Sequence, residues 1–245
     1  MEMNTRATFS DFSLKYLHSQ VMDLLKIASK HGGMAYGGYV RDVIVRVQAG
    51  DFSEVSVKDV DIWFKSEDNR RGFIEEYIRE KGRYIFASTN ETSQGVTSMG
   101  ANRIQHALYD NYGDMLLYVD LIVYEVFPVW DLSVNQVMYD YSTNRIVTNF
   151  PHNVSTILKN IREKTAVLDQ RAVDLLTDSK SKHTVVIVSI DNDHIIEVYR
   201  DTFRKRIADR FIANGWTIYT ETGQLVEVNR SGDVETLTFS FTDGC

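Results

Sequence analysis

A glycine pair followed by an alternating strand constrains the fold more than any other part of the sequence. Gly37-Gly38 follows a short apolar strand and precedes a segment in which apolar residues recur at helical spacing. Further on, residues 58–65 alternate between apolar and polar side chains, which is typical of a half-buried strand. Asp59 and Asp61 stand at alternate positions and therefore point to the same face of that strand. The stretch predicts a strand, a glycine turn, a helix and a second strand that carries two neighbouring carboxylates.

The carboxylate pair predicts a site for a divalent cation. Two adjacent carboxylates repel each other unless a cation lies between them, and Mg²⁺ prefers hard oxygen ligands. Asp120 is a candidate third ligand, because it interrupts the apolar strand 118–123, where an unpaired carboxylate is costly to bury. The alternative is an Asp-x-Asp pattern on an exposed strand face that binds nothing. The glycine pair is the feature that favours the cation site.

The glycine pair and the helix start that follows it suit a phosphate group. Glycine lets backbone N–H groups approach an anion, and the N-terminus of a helix favours negative charge. Arg41 is placed to reach a triphosphate bound there. The alternative is a plain tight turn, followed by Arg41-Asp42 as a solvated first helical turn.

These motifs resemble those of a known enzyme family. Residues 37–42, Gly-Gly-Tyr-Val-Arg-Asp, resemble the Gly-Gly-x-Val-Arg-Asp signature of CCA-adding tRNA nucleotidyltransferases and bacterial poly(A) polymerases, in the DNA polymerase β superfamily. Residues 58–62, Lys-Asp-Val-Asp-Ile, stand where that family carries its metal-binding Asp-x-Asp. Residues 131–137 resemble the family's element that contacts the nucleotide sugar, with Asp131 and Asn135 at the matching positions.

A fainter similarity lies further along the chain. Residues 200–204, Arg-Asp-Thr-Phe-Arg, resemble the family's Glu-Asp-x-x-Arg helix, in which the aspartate and arginine read the incoming base. Asp201 and Arg204 are the matching positions. An equally weighted alternative is a basic amphipathic helix with a solvated or phosphate-binding face.

The resemblance implies a fold, a reaction and a cofactor. The fold would be α+β, with a polymerase β-like mixed sheet flanked by helices over residues 1–150 and a small helical and β unit over residues 151–245. The reaction would transfer a nucleotide from an NTP, such as ATP or CTP, to an acceptor hydroxyl with release of pyrophosphate. An RNA or tRNA 3′ end is the favoured acceptor, and Mg²⁺ or Mn²⁺ is the implied cofactor.

The resemblance also implies roles for individual residues. The catalytic metal ligands would be Asp59, Asp61 and Asp120. The nucleotide would be bound by a larger set, which comprises Gly37, Gly38, Arg41, Asp42, Asp131, Asn135, Asp201 and Arg204.

Departures from the family pattern leave other functions open. Trp130 replaces the arginine expected before Asp131, and Arg200 replaces the glutamate expected before Asp201. Within residues 151–245 we expect no counterpart of the long helical body that holds tRNA in the family, and a β-rich tail is predicted over residues 217–241. The alternatives are nucleotide transfer to a protein or small molecule, and a degenerate nucleotide-binding module without turnover.

Charge and hydropathy limit the partners. The net charge is −7, so general electrostatic affinity for nucleic acid is not expected, and RNA would need a local basic patch. The most apolar run, residues 115–130, contains acidic residues and is shorter than the roughly 20 apolar residues that cross a bilayer. We expect no membrane partner and a cytoplasmic location, with a virus-encoded protein acting in the host cytoplasm as one option. The sequence does not indicate an oligomeric state.

Periodicity predicts the remaining elements. The predicted helices span residues 12–31, 39–49, 67–81, 131–138, 153–164, 169–177 and 194–214. The predicted strands span residues 34–36, 58–65, 83–88, 103–109, 115–125, 144–148 and 184–190, with two or three more within 217–241. A flexible loop is predicted over residues 89–102.

Overall fold

A computed structural model gives the architecture of the chain. It describes residues 14–51, 57–83, 85–88, 102–123, 132–148, 153–169, 173, 185–189, 195–199, 204–231 and 236–243. The described residues fall into two compact units, one within residues 1–97, 101–127 and 138–147, the other within residues 128–137 and 148–245. Because residues 128–137 belong to the second unit, the division is not a single cut in the sequence.

The first unit is built on a seven-stranded mixed sheet in the order β3-β4-β5-β2-β1-β6-β7. Its central pair, β2 and β5, is parallel, and β1 and β4 pair with it antiparallel on either side. The α+β class and the mixed sheet flanked by helices are thereby confirmed. The strands are β1 Met34–Tyr36, β2 Asp59–Phe64, β3 Phe86–Ser88, β4 Asn102–Tyr109, β5 Met115–Val123, β6 Val137–Asp140 and β7 Arg145–Thr148.

Two amphipathic helices cover one face of this sheet. Helix α1, Leu14–Lys30, packs against α3, Glu67–Lys81, and α3 packs against β2, β3 and β5. The rings of Phe64 on β2 and Phe73 on α3 lie 5.4 Å apart. In β2 the side chains of Val60, Ile62 and Phe64 are fully buried. Asp59 and Asp61 alternate with them and therefore project from the opposite face of the sheet.

A third helical segment follows β1 and the glycine turn. It comprises a π-helical turn, Val40–Ile44, and α2, Val45–Gln48. The helix predicted over residues 39–49 is confirmed. Its apolar residues Val40, Val43 and Ile44 are buried, which anchors the turn before it.

The second unit combines a helix with two small sheets. Helix α4, Val154–Glu163, begins after Asn153, whose Oδ1 accepts a hydrogen bond of 2.9 Å from Thr156 N. A four-stranded sheet has the order β13-β12-β11-β8, and β9 pairs antiparallel with β10. The strands are β8 Thr165–Leu168, β9 Val185–Ser189, β10 Ile195–Tyr199, β11 Thr217–Thr220, β12 Gln224–Ser231 and β13 Thr236–Asp243.

Two helix predictions in this part of the sequence are wrong over part of their length. Within the predicted helix 194–214, residues 195–199 form strand β10, whereas the described residues 204–214 are helical and include the turns Arg206–Phe211 and Ile212–Asn214. Isoleucine, valine and tyrosine dominate β10, and the neighbouring strand β9 supplies its hydrogen-bond partners. In the described part of the predicted helix 131–138, residues 132–138, only a 3₁₀ turn at Ser133–Asn135 forms, and Val137 already begins β6.

Other predictions are confirmed with adjusted bounds or lie outside the described residues. The strand predicted over residues 184–190 is confirmed as β9, and the tail contains the three strands β11, β12 and β13. The predicted strand 83–88 begins only at Phe86. Residues 89–101 of the predicted loop and most of the predicted helix 169–177 lie outside the described residues.

Candidate functional site

Three aspartates lie on one face of the first unit's sheet. Strands β2 and β5 run parallel with Asp61 in register with Asp120 and Asp59 in register with Tyr118. Neighbouring strands are ~4.8 Å apart, and residues in register project to the same side. The sheet therefore brings together the three carboxylates expected from the sequence. We call Asp59, Asp61 and Asp120 the carboxylate face.

Exposure falls across the carboxylate face. Asp59 is exposed, Asp61 is half-buried, and the side chain of Asp120 is only 5% exposed. A carboxylate as buried as Asp120 must be hydrogen-bonded and paired with a positive charge, because removing an isolated charge from water is very unfavourable.

Strand β4 supplies both groups that Asp120 needs. Arg103 Nη2 donates to Asp120 Oδ2 at 2.6 Å, and Gln105 Nε2 donates to Asp120 Oδ1 at 2.9 Å. Gln105 lies directly opposite Asp120 in the antiparallel β4–β5 pair, and Arg103 lies opposite Ile122. Sequence analysis missed Arg103 and Gln105. Their signal was their alternate spacing on the strand that precedes an apolar strand with one buried carboxylate.

The donor types of the carboxylate face fit a hard divalent cation, and Asp120 is the member that β4 pairs with a positive charge. Asp59 and Asp61 offer carboxylate oxygens from alternate positions of one strand, which suits Mg²⁺ or Mn²⁺. Both oxygens of Asp120 accept hydrogen bonds from β4. Within the described part of the chain, no group of three or more His, Cys, Asp or Glu side chains is arranged to hold a metal ion.

The glycine turn lies beside Asp61. Tyr36, the residue before the turn, is in register with Asp61 across the β1–β2 pair. Gly37 has a φ of +69°, and a Cβ at this position would lie 3.6 Å from Asp61 Oδ2. Arg41 N donates to Gly37 O at 3.0 Å, which connects the turn to the helical segment. The structure thus brings the predicted phosphate-binding turn next to the predicted metal ligand.

The guanidinium of Arg41 is held over this turn by its neighbour. Arg41 Nε donates to Asp42 Oδ1 at 2.6 Å, and Arg41 Nη2 also contacts Asp42 Oδ2. A Cβ at Gly38 would lie 3.9 Å from Arg41 Nη2. The side chain of Arg41 is 14% exposed and that of Asp42 is 40% exposed. The role that these contacts give to Asp42 is to orient the Arg41 guanidinium, and not to contact a ligand directly.

The remaining residue of the turn motif has a structural role. Tyr39 is buried, and its Oη lies 3.1 Å from Nδ1 of His18 on α1. Burial raises the pKa of the Tyr39 phenol far above its usual range and lowers the pKa of His18, which in each case favours the neutral form. This contact ties the helical segment after the glycine turn to α1.

An apolar cluster borders the carboxylate face. Tyr36, Ile122 and Met138 are buried together, and Met34, Trp63 and Val147 pack against them with partial exposure. Trp63 lies two residues after Asp61 and projects from the same face of β2. The sheet face thus joins charged and apolar surface within one unit.

The other predicted nucleotide-binding residues lie in the second unit or outside the described residues. Asn135 ends the 3₁₀ turn at Ser133–Asn135 and is half-buried. That turn is attached to β8 because Val167 N donates to Ser133 Oγ at 3.0 Å. Arg204 is half-buried, with its guanidinium carbon 5.1 Å from the ring centre of Phe239. Asp131 and Asp201 lie outside the described residues.

Comparison with known proteins adds no relative. The chain matches no protein-family model and no curated protein. The described helices also include none that is long and apolar enough to cross a membrane. Functional inference therefore depends on the motifs and on the geometry of the carboxylate face.

Proposed function

We propose that this protein is a metal-dependent nucleotidyltransferase that transfers NMP from an NTP to an acceptor hydroxyl and releases pyrophosphate. The observation that supports this most is the position of Asp61, which lies beside the Gly37 turn and in register with Asp120. A phosphate-binding turn next to a strand with paired carboxylates is the arrangement that nucleotidyl transfer requires. The polymerase β-like identity of the fold is part of the same proposal.

Asp59 and Asp61 would hold Mg²⁺ or Mn²⁺, which when bound neutralises phosphate charge and lowers the pKa of an attacking hydroxyl. The Gly37-Gly38 turn would receive the triphosphate, and Arg41, oriented by Asp42, would neutralise it. The acceptor hydroxyl gives up its proton to water, its oxygen forms a bond to the α-phosphorus, and the bond from that phosphorus to the bridging oxygen breaks. Pyrophosphate leaves with the electron pair. The chain contributes chiefly by positioning and by fixed charge.

The acceptor proposed first is an RNA 3′ end, in line with the family that the motifs resemble. Asn135 and Arg204, with Asp131 and Asp201, are proposed to orient the sugar and read the base. Transfer to a protein or small molecule is the second candidate, and the net charge of −7 favours it because RNA gains no general electrostatic attraction.

A nucleotide-binding module without turnover is the third candidate. The pairing of Asp120 with Arg103 favours it, because the guanidinium charge opposes the binding of a metal ion at Asp120. It predicts tight binding of an Mg²⁺–NTP complex and no product with any acceptor.

Incubation with each labelled NTP, Mg²⁺ or Mn²⁺, and an RNA pool that includes tRNA lacking its 3′ end tests the proposal. The decisive variant is Asp59→Ala combined with Asp61→Ala. Glu75→Ala is the matched control, because Glu75 is an exposed acidic residue on α3, which packs on the opposite sheet face. Label in RNA with the native protein and the control, and none with the double variant, supports the proposal. Equal labelling by the double variant contradicts it.

If RNA stays unlabelled, the same reactions with protein and small-molecule acceptors decide between the two remaining candidates. Label in one of these acceptors, lost in the Asp59→Ala, Asp61→Ala variant, supports transfer to a different acceptor. Bound nucleotide without product in every reaction supports the binding module.

A further inference from the structure

Asp120 meets its need for positive charge from within the protein. Its side chain is 5% exposed, and Arg103 Nη2 lies 2.6 Å from its Oδ2. Its other oxygen accepts a hydrogen bond of 2.9 Å from Gln105 Nε2. Charge-assisted contacts of this kind are about twice as strong as neutral hydrogen bonds. A divalent cation at Asp120 would lie next to the positive charge of Arg103, which opposes its binding.

The partners of Asp120 lie on the side away from the other two carboxylates. In the sheet order, β5 is flanked by β4 on one side and by β2 on the other. Arg103 and Gln105 belong to β4, whereas Asp59 and Asp61 belong to β2. The hydrogen bonds of Asp120 are therefore directed to β4, and not to β2, the strand that carries the predicted metal ligands.

Arg103 is held in this position although it leaves one of its own donors unused. Arg103 Nε is buried and has no hydrogen-bond partner among the described residues. A buried donor without a partner is unfavourable by itself. The pairing with Asp120, rather than the hydrogen bonding of the whole guanidinium, therefore accounts for where Arg103 lies.

We infer that Arg103 takes the place of one of the two metal ions that a three-carboxylate site would hold. This inference depends on the proposed function. Asp59 and Asp61 bind a single divalent ion, and the Arg103 guanidinium supplies the second positive charge of the carboxylate face through Asp120. Arg103 is a positioning residue, because it acts through Asp120. Asp120 is then the partner of an arginine and not a metal ligand.

Titration of the whole chain with Mn²⁺ alone, followed by the electron paramagnetic resonance of the free ion, tests this inference. The native protein is expected to bind a single Mn²⁺, and the Asp59→Ala, Asp61→Ala variant to bind none. Asp120→Asn is expected to bind Mn²⁺ like the native protein. Its amide can still accept from Arg103 and, after rotation of the Gln105 amide, donate to Gln105.

Removal of the arginine charge provides the opposite test. Arg103→Met is expected to bind a second Mn²⁺, because Asp120 then lacks a counter-ion, whereas the charge-conserving Arg103→Lys is expected to bind a single ion. Circular dichroism and thermal melting verify that each variant is folded. Asp120→Asn is nearly isosteric and tests the inference independently if Arg103→Met does not fold.

Three results would overturn the inference while leaving the proposed function intact. They are two Mn²⁺ bound by the native protein, a loss of about tenfold or more in Mn²⁺ affinity on Asp120→Asn, and a folded Arg103→Met that binds only a single ion. Absence of Mn²⁺ binding both in the native protein and in the Asp59→Ala, Asp61→Ala variant would overturn the proposed function as well.

Discussion

Gly37 and Asp61 lie so close together that a methyl group on Gly37 would be 3.6 Å from Asp61 Oδ2. This distance is an ordinary van der Waals contact, so a methyl group would fit beside the carboxylate without a clash. The backbone of Gly37 also has a φ of +69°, a region that residues with a Cβ rarely adopt.

The Gly37 conformation predicts that Gly37→Ala destabilises the protein by about 1–2 kcal/mol, the cost of a left-handed backbone for an L-residue. Urea unfolding measures this change in the free energy of unfolding. Gly38→Ala is the matched control, because the nearest atom to its Cβ is 3.9 Å away. We expect the control to be neutral or to gain up to about 1 kcal/mol, because Gly38 lies in the helical segment. Equal losses in the two variants would contradict the assigned backbone conformation.

Gly33 packs against the strand that carries the aspartates. A Cβ at this position would lie 2.6 Å from Phe64 Cε1 and 3.0 Å from Ala28 O, and Phe64 is fully buried. We expect Gly33→Ala to lower the free energy of unfolding by about 1–3 kcal/mol through overpacking. Adding Phe64→Leu should make the combined loss smaller than the sum of the two single losses. Strict additivity in a double-mutant cycle would show that the two residues do not contact each other.

The Arg103–Asp120 pair predicts an effect on stability that does not depend on catalysis. In the presence of a chelator, Arg103→Met should destabilise the protein by about 2 kcal/mol, because it leaves the Asp120 carboxylate buried without a counter-ion. Adding Asp120→Asn to Arg103→Met should recover part of that loss, because the second change removes the uncompensated charge. Unfolding in urea, without guanidinium chloride, measures both changes in the free energy of unfolding. A further loss of stability on the second change would argue against an ion pair.

The buried position of His106 predicts that the protein becomes less stable as the pH is lowered. It is 4% exposed and stacks on Phe86 with 4.4 Å between ring centres, and burial together with the charge of Arg70 lowers its pKa to about 4. In the unfolded chain the pKa of histidine is about 6.5. Between these two values the unfolded state binds more protons than the folded state, so stability falls as the pH is lowered from about 6.5 to about 4.

This loss should amount to about 2–3 kcal/mol by pH 4, since one pKa unit corresponds to about 1.4 kcal/mol. His106→Phe keeps an aromatic ring against Phe86 and removes the titrating group. Urea unfolding of both proteins at pH 7, 5.5 and 4.5, chosen to span about that window, should give a smaller pH dependence for the variant. Identical slopes would show that His106 does not titrate between the two states.

The sequence predicted best those elements whose signals are local. Helix α3 has the predicted bounds, because Ser66 accepts a hydrogen bond from Asn69 N at its start and Gly82 adopts a positive φ after its end. The strand with Asp59 and Asp61 was also predicted, because the alternation of apolar and polar residues indicates by itself which side chains share a face. Residues 195–199 were assigned to a helix because their strand partner, β9, cannot be inferred from their own spacing.

The candidate site was predictable in its residue types but not in its pairing. Asp59 and Asp61 share a face by their spacing alone, whereas the register of Asp61 with Asp120 depends on which strands become neighbours. Arg103 and Gln105 were missed for the same reason. Their alternate spacing is visible in the sequence, but their role as partners of Asp120 exists only after β4 pairs with β5.

The parallel pairing of β2 with β5 has a consequence for the order of folding. The chain between these strands forms α3, β3 and β4, so Asp61 and Asp120 are distant in sequence although they are neighbours in the sheet. Contacts between distant segments require closure of a long loop and form later than helices and hairpins. A partly folded chain with native helices and a native β4–β5 hairpin would still lack the carboxylate face. The alignment of Asp61 with Asp120 is therefore a feature that the chain gains only with the closure of its central strand pair.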